Sequence, residues 1–286
     1  MRTFLSKALK GAVIAGSFAI ALPVWAYAAN IVVLPEAPIQ GDPIMVYVEG
    51  TTTLKSMAFT GSALKPFIYK NRPTAIYGFD INKKAGVYKV SATLSDGTVL
   101  EKNILVDERK KPVLTFTIPA KLGGTTTASQ KTLVSALAIE NASLVGLKTG
   151  TKAYWTDSFQ HPVPNPIVTD GYGYDRDTGE ATVTHKGTDF RAAEGTPVEA
   201  INRGVVRRVQ ETRDYGKTVI VDHGLGLMSF YMHLSKIWVN EGELVQRGQY
   251  VGLSGQTGYA LAPHLHLTIR QDDISIDPAV FLKLFE

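Results

Sequence analysis

The sequence of 286 residues contains no cysteine. This absence excludes disulfide bonds, thiolate metal ligands, a cysteine nucleophile and lipid attachment at a processed N-terminal cysteine. Charged residues make up 20% of the chain and hydrophobic residues 44%, a balance typical of globular proteins and unlike that of disordered chains. The fold must therefore be stabilised by a hydrophobic core without covalent cross-links.

Long apolar runs are scarce, and the one near the N-terminus has the features of an export signal. Basic residues precede an apolar stretch over residues 11–23, and a small-x-small cleavage site follows at residues 26–28. We predict a secretory signal peptide over residues 1–28. An uncleaved signal anchor is the less favoured alternative, because the run is short and contains Pro23.

No later stretch approaches the roughly 20 consecutive apolar residues of a membrane-spanning helix. We therefore expect no stable membrane insertion after signal cleavage. The expected location of the mature protein is the periplasm, the extracellular space or the cell wall.

The formal net charge of +4 lies mostly in the predicted signal peptide, whose three basic side chains leave +1 for the remainder. That remainder is uneven, with a formal charge of +6 over residues 29–154 and −5 over residues 155–286. Such a distribution does not favour a continuous phosphate-binding groove, and no nucleic-acid-binding fold pattern is present. We expect no nucleic-acid partner.

The first half of the chain has the pattern of a β-sandwich. Short apolar or alternating runs between turn residues predict strands over residues 31–34, 44–49, 75–81, 87–94 and 99–106. Alternation is clearest over residues 87–94, and Ser95-Asp96-Gly97-Thr98 is typical of a tight hairpin. We predict an immunoglobulin-like β-sandwich domain over residues 29–110, in which no residue has a catalytic pattern.

A charged run ending in Pro112 marks the predicted domain boundary and begins a connecting region over residues 111–154. Residues 113–118 alternate as a strand, and residues 129–142 have the periodicity of a helix with Ser129 as its N-cap. We expect this region to pack against the second domain. The predicted buried side of the helix consists of Leu133, Leu137 and Ile139.

The second domain, residues 155–286, is predicted to be mainly antiparallel β-sheet with a core distinct from the first. It contains all six histidines, which are His161, His185, His223, His233, His264 and His266. On a strand, residues i and i+2 face the same side, so His264 and His266 should point into one cleft. Histidines clustered in this way are the first indication of a functional site.

His185 and His266 each offer a nitrogen ligand, and Asp189 offers an oxygen ligand. This set matches a catalytic zinc site, in which three protein ligands leave the fourth position open. His185 and Asp189 taken alone would favour an ordinary surface pair. His233 and His264 could serve as acid or base beside the metal. Histidine is the natural candidate because the sequence has no His-Glu-x-x-His segment to supply a glutamate base.

The second domain resembles the lysostaphin/LytM-type zinc metallopeptidases, which cut the peptide part of bacterial peptidoglycan. The motifs occur in order along the chain, which makes the resemblance specific. They include Gly171-Tyr172-Gly173, His185-Lys186-Gly187-Thr188-Asp189-Phe190, Gly195-Thr196-Pro197-Val198, Val219-Ile220-Val221-Asp222-His223-Gly224, Tyr231-Met232-His233-Leu234, Gly255-Gln256-Thr257-Gly258 and Pro263-His264-Leu265-His266.

The resemblance implies that His185, Asp189 and His266 bind one Zn²⁺ ion and that His233 and His264 assist catalysis. It implies an exported zinc metalloendopeptidase that hydrolyses peptidoglycan cross-links, with stem peptides or cross-bridges as its substrate. The alternative is a regulator of cell-wall amidases or a binding module without turnover. Such zinc-less relatives typically lack ligands from this set, so the intact set favours the enzyme. The N-terminal domain is a candidate site for an envelope protein partner.

Other residues near these motifs have weaker signals. His223 is expected to be structural, whereas His161, in a proline-rich segment, is expected to rim or cover the cleft, with blocking of the zinc as a less favoured alternative. Tyr172, Tyr174 and Arg176 could line the substrate groove. The absence of a wall-targeting repeat favours D,D-type cross-links over polyglycine bridges.

Overall fold

The computed structural model describes residues 28–115, 117–177 and 179–286. The predicted signal peptide lies outside the described residues except for Ala28. Within this part of the chain, no helix is both long and apolar enough to cross a membrane. Strands dominate and pair mostly antiparallel, which confirms the predicted mainly-β fold class.

The first half consists of two four-stranded antiparallel sheets that pack around one core. The strands are β1 Asn30–Leu34, β2 Pro43–Glu49, β3 Leu54–Phe59, β4 Ser62–Ala63, β5 Phe67–Tyr69, β6 Arg72–Gly78, β7 Gly86–Leu94 and β8 Val99–Val106. The sheet orders are β1-β2-β6-β5 and β4-β3-β7-β8. Buried Val46 and Ala75 from one sheet and Met57, Val90 and Ile104 from the other belong to this core. The two sheets therefore form a sandwich, while its immunoglobulin-like topology stays a prediction.

The clearest alternation in the sequence produces the hairpin of β7 and β8. Val90 and Ala92 are buried on one face, as the period of two requires. The Leu94 N–H donates to the Thr98 carbonyl over 2.8 Å, and Gly97 adopts a left-handed φ of 96° in the turn. This hairpin confirms the turn predicted from sequence.

Three strands, β3, β4 and β5, were not predicted, and β6 begins at Arg72 instead of Ala75. The earlier start follows from a tight turn. Lys70 and Asn71 have φ values of 47° and 59°, and they connect Tyr69 directly to its partner Arg72 in a β-hairpin. The sequence there has no glycine to mark the turn, so the hairpin was missed.

Helix α1, Thr127–Ser143, begins two residues before the predicted helix. The predicted N-cap, Ser129, is wrong. Thr126 has extended backbone angles, and its Oγ1 accepts a hydrogen bond from the Ser129 N–H over 3.2 Å. Ser129 is therefore the third residue of the helix, and its hydroxyl donates to the Gly123 carbonyl over 3.1 Å.

The inner side of α1 contacts the second half of the chain, as expected for the connecting region. Leu133 is buried and Leu137 partly buried, and both pack with Tyr259. Ile139 is 71% exposed, so its predicted place on the buried side is wrong. Glu140 lies on the inner side instead, because it continues the spacing of three and four residues from Leu133 and Leu137.

The second half is built around an eight-stranded antiparallel sheet in the order β10-β13-β21-β17-β16-β15-β19, with β22 on β21. Its strands, together with those of two three-stranded sheets, are β9 Val113–Thr115, β10 Val168–Asp170, β11 Asp175–Asp177, β12 Thr182–Thr184, β13 Thr188–Arg191, β14 Pro197–Glu199, β15 Gly204–Thr212, β16 Gly216–Gly224, β17 Leu227–Leu234, β18 Lys236–Ile237, β19 Leu244–Val245, β20 Tyr250–Leu253, β21 His264–Gln271 and β22 Ile274–Ile276. Helix α2, Pro278–Lys283, follows. Strands β15, β16, β17 and β21 form the centre of this sheet, as expected from the antiparallel β-sheet predicted for this half.

The two halves have separate cores, yet they share a packed and charged interface. Met45, Tyr69 and Ile76 of the first half belong to the core cluster of the second half. Arg109, within the charged run at the predicted boundary, has a side chain that is 10% exposed. It bonds Asp42 Oδ1 at 2.6 Å and lies 3.2 Å from an Asp277 carboxylate oxygen. The predicted boundary is therefore an ion-paired contact between the halves.

Candidate metal centre

Adjacent strands bring the predicted ligands together. β13 and β21 run antiparallel with Asp189 opposite His266, and β17 pairs with the other edge of β21. His185 precedes β13 and reaches the same point. One ligand atom from each of His185, Asp189 and His266 lies within 4.8 Å of the other two, and all three residues are buried.

Neighbouring oxygen atoms determine which nitrogen of each ligand histidine carries the proton. His185 Nδ1 lies 2.7 Å from the Gly171 carbonyl, which can only accept, so Nδ1 is protonated. His266 Nε2 lies 2.9 Å from Thr268 Oγ1, whose own hydroxyl donates to the Lys186 carbonyl over 3.1 Å. His266 therefore donates from Nε2. Each histidine is left with an unprotonated nitrogen directed at the centre of the cluster.

The three acceptors that remain face one another. Asp189 Oδ1 lies 2.7 Å from His266 Nδ1 and 3.2 Å from His185 Nε2, and these two nitrogens are 3.1 Å apart. Burial lowers the pKa of His266 to about 4, so protonation of this residue near neutral pH is opposed. Three unprotonated acceptor atoms that share no proton can bind a cation, and a set of two nitrogen atoms and one oxygen atom suits zinc.

Glycine at position 187 is required by the approach of this cluster. A Cβ atom there would lie 2.3 Å from His266 Nε2 and 2.7 Å from the Leu267 carbonyl oxygen. Any larger side chain would displace the ligand imidazole or the strand. Steric hindrance therefore explains why a glycine stands between the ligands His185 and Asp189.

Arg176 of β11 holds the other oxygen of the carboxylate ligand. Its guanidinium Nη2 lies 3.2 Å from Asp189 Oδ2 and also bonds Asp170. Asp189 Oδ1 is therefore the oxygen directed at the ligand nitrogens. Of the three residues predicted to line a substrate groove, Arg176 lines a cavity beside the ligand cluster. Tyr172 is instead buried at the interface between the halves, where its hydroxyl donates to the Ser275 carbonyl over 2.8 Å.

His233 occupies an unusual backbone conformation next to the ligand cluster. Its φ is +62°, in the left-handed region, at an irregularity of the pairing between β16 and β17. Its N–H donates to the Tyr215 carbonyl over 3.0 Å, and Nδ1 donates to the Thr257 carbonyl over 2.9 Å. Burial holds the pKa of His233 well below its ordinary value. The residue is therefore a neutral imidazole with Nε2 free to accept a hydrogen bond.

His264 lies closer to solvent, with a side chain that is 19% exposed. Its Nδ1 donates to the Ala262 carbonyl over 2.8 Å, and Nε2 lies 3.8 Å from Asp189 Oδ1. The ring centroids of His264 and His233 are 4.9 Å apart. The structure thus places both predicted catalytic histidines beside the three predicted ligands.

Support of this site by α1 is not apparent from any sequence motif. Glu140 accepts hydrogen bonds from Thr212 Oγ1 over 2.7 Å, from the Asp214 N–H over 3.0 Å and from the Tyr215 N–H over 3.1 Å. The carbonyl of Tyr215 in turn accepts the bond from the His233 N–H. The connecting helix therefore braces the turn that holds the His233 backbone.

The remaining histidines lie apart from the cluster. His161 Nε2 is 4.0 Å from a Glu286 carboxylate oxygen, and its ring packs on the edge of Phe190. Phe190 points to the opposite face of β13 from Asp189, because successive residues of a strand alternate. His161 therefore lies on the other side of the sheet from the metal ligands and lines neither cavity beside them. This position supports neither the predicted place at the rim of the cleft nor the alternative in which His161 blocks the zinc.

His223 has the structural role expected from the sequence. It is fully buried, with Nδ1 donating to the Arg203 carbonyl over 2.9 Å and Nε2 accepting from Ser229 Oγ over 2.8 Å. Burial lowers its pKa to about 4. Between pH 6.5 and 4 the unfolded chain therefore binds a proton that the folded chain does not, and stability falls as the pH falls through this window.

We expect the titration of His223 to lower the free energy of unfolding by about 2 kcal/mol between pH 7 and pH 5. Urea denaturation at both pH values would measure the loss in the parent protein and in a His223→Asn variant. The variant should be less stable at pH 7 but lose less on acidification. An equal loss in both proteins would show that His223 does not cause the acid sensitivity.

Two cavities meet at the ligand cluster. One, of about 370 Å³, extends from His185 and His266 to Leu133 and Leu137 of α1. The other, of about 310 Å³, is bordered by the loop that precedes β21. Both are lined by a shared set of Arg176, His233, Tyr259 and His266. An extended chain could therefore pass the ligand cluster with room on either side.

Comparison with known proteins identifies the family of the second domain. Residues 183–278, which include every predicted ligand and catalytic residue, match the model of peptidase family M23. This segment is a peptidase family M23 domain. The resemblance stated from the motifs is thereby confirmed. M23 peptidases are zinc-dependent, so the predicted zinc cofactor is the ion that the ligand set of this M23 domain suits.

Two curated relatives contain similar M23 segments. The peptidoglycan DD-endopeptidase ShyA of Vibrio cholerae is 48% identical over 82 residues, which cover 29% of this chain and 19% of that protein. The glycyl-glycine endopeptidase ALE-1 of Staphylococcus capitis is 40% identical over 120 residues, which cover 40% of this chain and 33% of that protein. The matched segments thus span a fifth to a third of these relatives.

A solved structure extends the likeness beyond the M23 domain. A crystal structure described as a peptidase M23 from Pseudomonas aeruginosa aligns with a TM-score of 0.55 and 25% identity. The alignment covers 87% of this chain and 96% of the other. The fold of the first half is therefore included in the similarity.

Proposed function

We propose that this chain is an exported zinc metalloendopeptidase that hydrolyses peptide cross-links of bacterial peptidoglycan. The observation that carries the proposal is the convergence of three unprotonated acceptors, on His185, Asp189 and His266, at the junction of two cavities. An endopeptidase needs space on both sides of the scissile bond, and this arrangement provides it. Relatives named as peptidoglycan DD-endopeptidase and glycyl-glycine endopeptidase support the substrate class.

In the proposed mechanism a zinc ion would be held by His185 Nε2, His266 Nδ1 and Asp189 Oδ1. When bound, the ion supplies Lewis-acid polarisation of a peptide carbonyl and of a water nucleophile. Gly171 and Thr268 hold the two ligand imidazoles in the required tautomers, and Arg176 holds the carboxylate.

His264 is the better of the two candidate proton acceptors. Taking up a proton would charge His233 in a buried position, where its pKa is held well below the ordinary value. His264 lies at the edge of the cleft with Nε2 directed toward Asp189. In this scheme His264 removes the proton from the nucleophile and returns it to the leaving amine.

His233 acts in the same cleft as a hydrogen-bond acceptor that orients a reacting group. Its Nδ1 proton is committed to the Thr257 carbonyl, so Nε2 can only accept. Donation to an oxyanion would require an imidazolium, which burial opposes. His233 therefore accepts a hydrogen bond from the nucleophile or from the leaving-group N–H.

The proposal extends to location and domain organisation. The signal peptide over residues 1–28 exports the chain to the periplasm or cell wall, where its substrate is found. The sandwich over residues 29–110, the connecting region over 111–154 and the peptidase domain over 155–286 form the mature protein. The N-terminal domain is the proposed contact site for an envelope protein partner.

Digestion of purified sacculi tests the function. The zinc-loaded protein should release peptide ends from cross-linked peptidoglycan, with D,D-linked walls cut faster than walls joined by polyglycine bridges, and mass spectrometry would identify the ends. Dialysis against a chelator should stop the release, and added zinc should restore it. Tight binding to an amidase with no released ends would support the regulator instead.

A further inference from the structure

Arg191, the last residue of β13, lies beside the candidate proton acceptor. In the pairing of β13 with β21, Asp189 is opposite His266 and Arg191 is opposite His264. Because residues two apart on a strand share a face, Arg191 and His264 lie on the same face as the ligand pair. All four side chains line the cavity of about 310 Å³ bordered by the loop before β21.

The acidic side chains that line this cavity are bonded to residues other than Arg191. Asp170 and Asp189 are both bonded to Arg176, and Asp189 also faces the ligand histidines. Arg191 is exposed, and within the described part of the chain its guanidinium forms no ion pair. One side of the cleft therefore presents an unneutralised cation next to the reacting groups.

We propose that Arg191 binds a free carboxylate of the peptide substrate on a residue next to the scissile bond. A guanidinium can bind a carboxylate through two parallel hydrogen bonds, which confers direction as well as charge recognition. Polyglycine has no side-chain carboxylate to offer. This inference rests on the proposed function, and it assigns to the cleft a preference for peptides that carry an acidic group beside the cleaved bond.

Equilibrium binding of a matched ligand pair tests the assignment without turnover. The probes are two synthetic cross-linked peptides in which a ketomethylene group replaces the scissile amide. One carries a free carboxylate on the residue next to that group, and the other carries a carboxamide. The zinc-loaded parent protein should bind the carboxylate peptide roughly ten- to a hundredfold more tightly, as expected for hydrogen bonds to a charged group.

Two variants distinguish carboxylate binding by Arg191 from a general effect of removing one positive charge. Arg191→Gln should bind both peptides with the affinity that the parent shows for the carboxamide. Arg247→Gln is the matched control, because Arg247 is also exposed but lies between β19 and β20 and lines neither cavity. This control should keep the full preference. Zinc content and thermal unfolding of each variant would show that the fold and the metal site are intact.

The outcomes distinguish this inference from the proposed function. Equal affinity of the parent for both peptides, an unchanged preference in Arg191→Gln, or no binding of either peptide at millimolar concentration would overturn the role of Arg191. Hydrolysis of sacculi in any of these cases would leave the proposed function standing. A carboxylate preference that depends on Arg191, found in a protein that hydrolyses no sacculi, would support the inference and refute the enzyme.

Discussion

A His266→Ala variant is expected to lose bound zinc and cross-link hydrolysis together, with kcat/KM falling at least a thousandfold. His266 supplies one of three ligand atoms, and its removal leaves Asp189 and His185 as a two-residue site. Two protein ligands are fewer than the three of catalytic zinc sites. The measurements are the zinc content of the purified variant and the rate of release of peptide ends from sacculi.

His161→Ala is the matched control for this variant. It removes another histidine of the second domain, but one that lies on the opposite side of β13 from the ligands. The control should retain one zinc per chain and the parent rate. A His266→Ala protein that kept stoichiometric zinc or full activity would refute the ligand assignment.

A His233→Ala variant is expected to retain zinc but lose roughly a hundred- to ten-thousandfold in kcat, the range typical of a lost acid–base or orienting group. His233 lies outside the set of converging ligand atoms. Its Nδ1 bonds the Thr257 carbonyl and its Nε2 accepts in the cleft. Removal therefore leaves the metal site complete and takes away a group that orients the reactants.

The KM of His233→Ala should change much less than kcat, because the residue is proposed to act on reacting groups and not on substrate affinity. Zinc content, kcat and KM would be measured on the same preparation. Loss of zinc in this variant would make His233 a part of the ligand set. Parent-level kcat would remove it from the mechanism.

The motifs predicted the site because their chemistry and local geometry are encoded over a few residues. The His-x-His segment places two imidazoles on one face of a strand through the period of two alone. The segment from His185 to Asp189 provides two metal ligands near β13 and has Gly187 where a Cβ atom would collide with His266. Strand alternation likewise predicted the β7–β8 hairpin. These inferences need only neighbouring residues.

The elements that differ from the prediction lie in segments whose local sequence signals are weak or ambiguous. The turn at Lys70 and Asn71 is adopted by residues without a glycine signal, because pairing of β5 with β6 stabilises left-handed angles there. The N-cap of α1 shifted from Ser129 to Thr126, since several hydroxyl residues compete in that segment and only the folded chain selects among them.

The sequence by itself determined the ligand types, the mainly-β fold class and the clustering of histidines in the second half. Tertiary structure alone decided which partners complete the site. Thr268 orients His266, Glu140 braces the turn behind His233, and strand register places Arg191 beside His264. These contacts join residues from separate strands and from the connecting helix. Their geometry depends on how strands pair and pack, and this is not encoded in the spacing of any one motif.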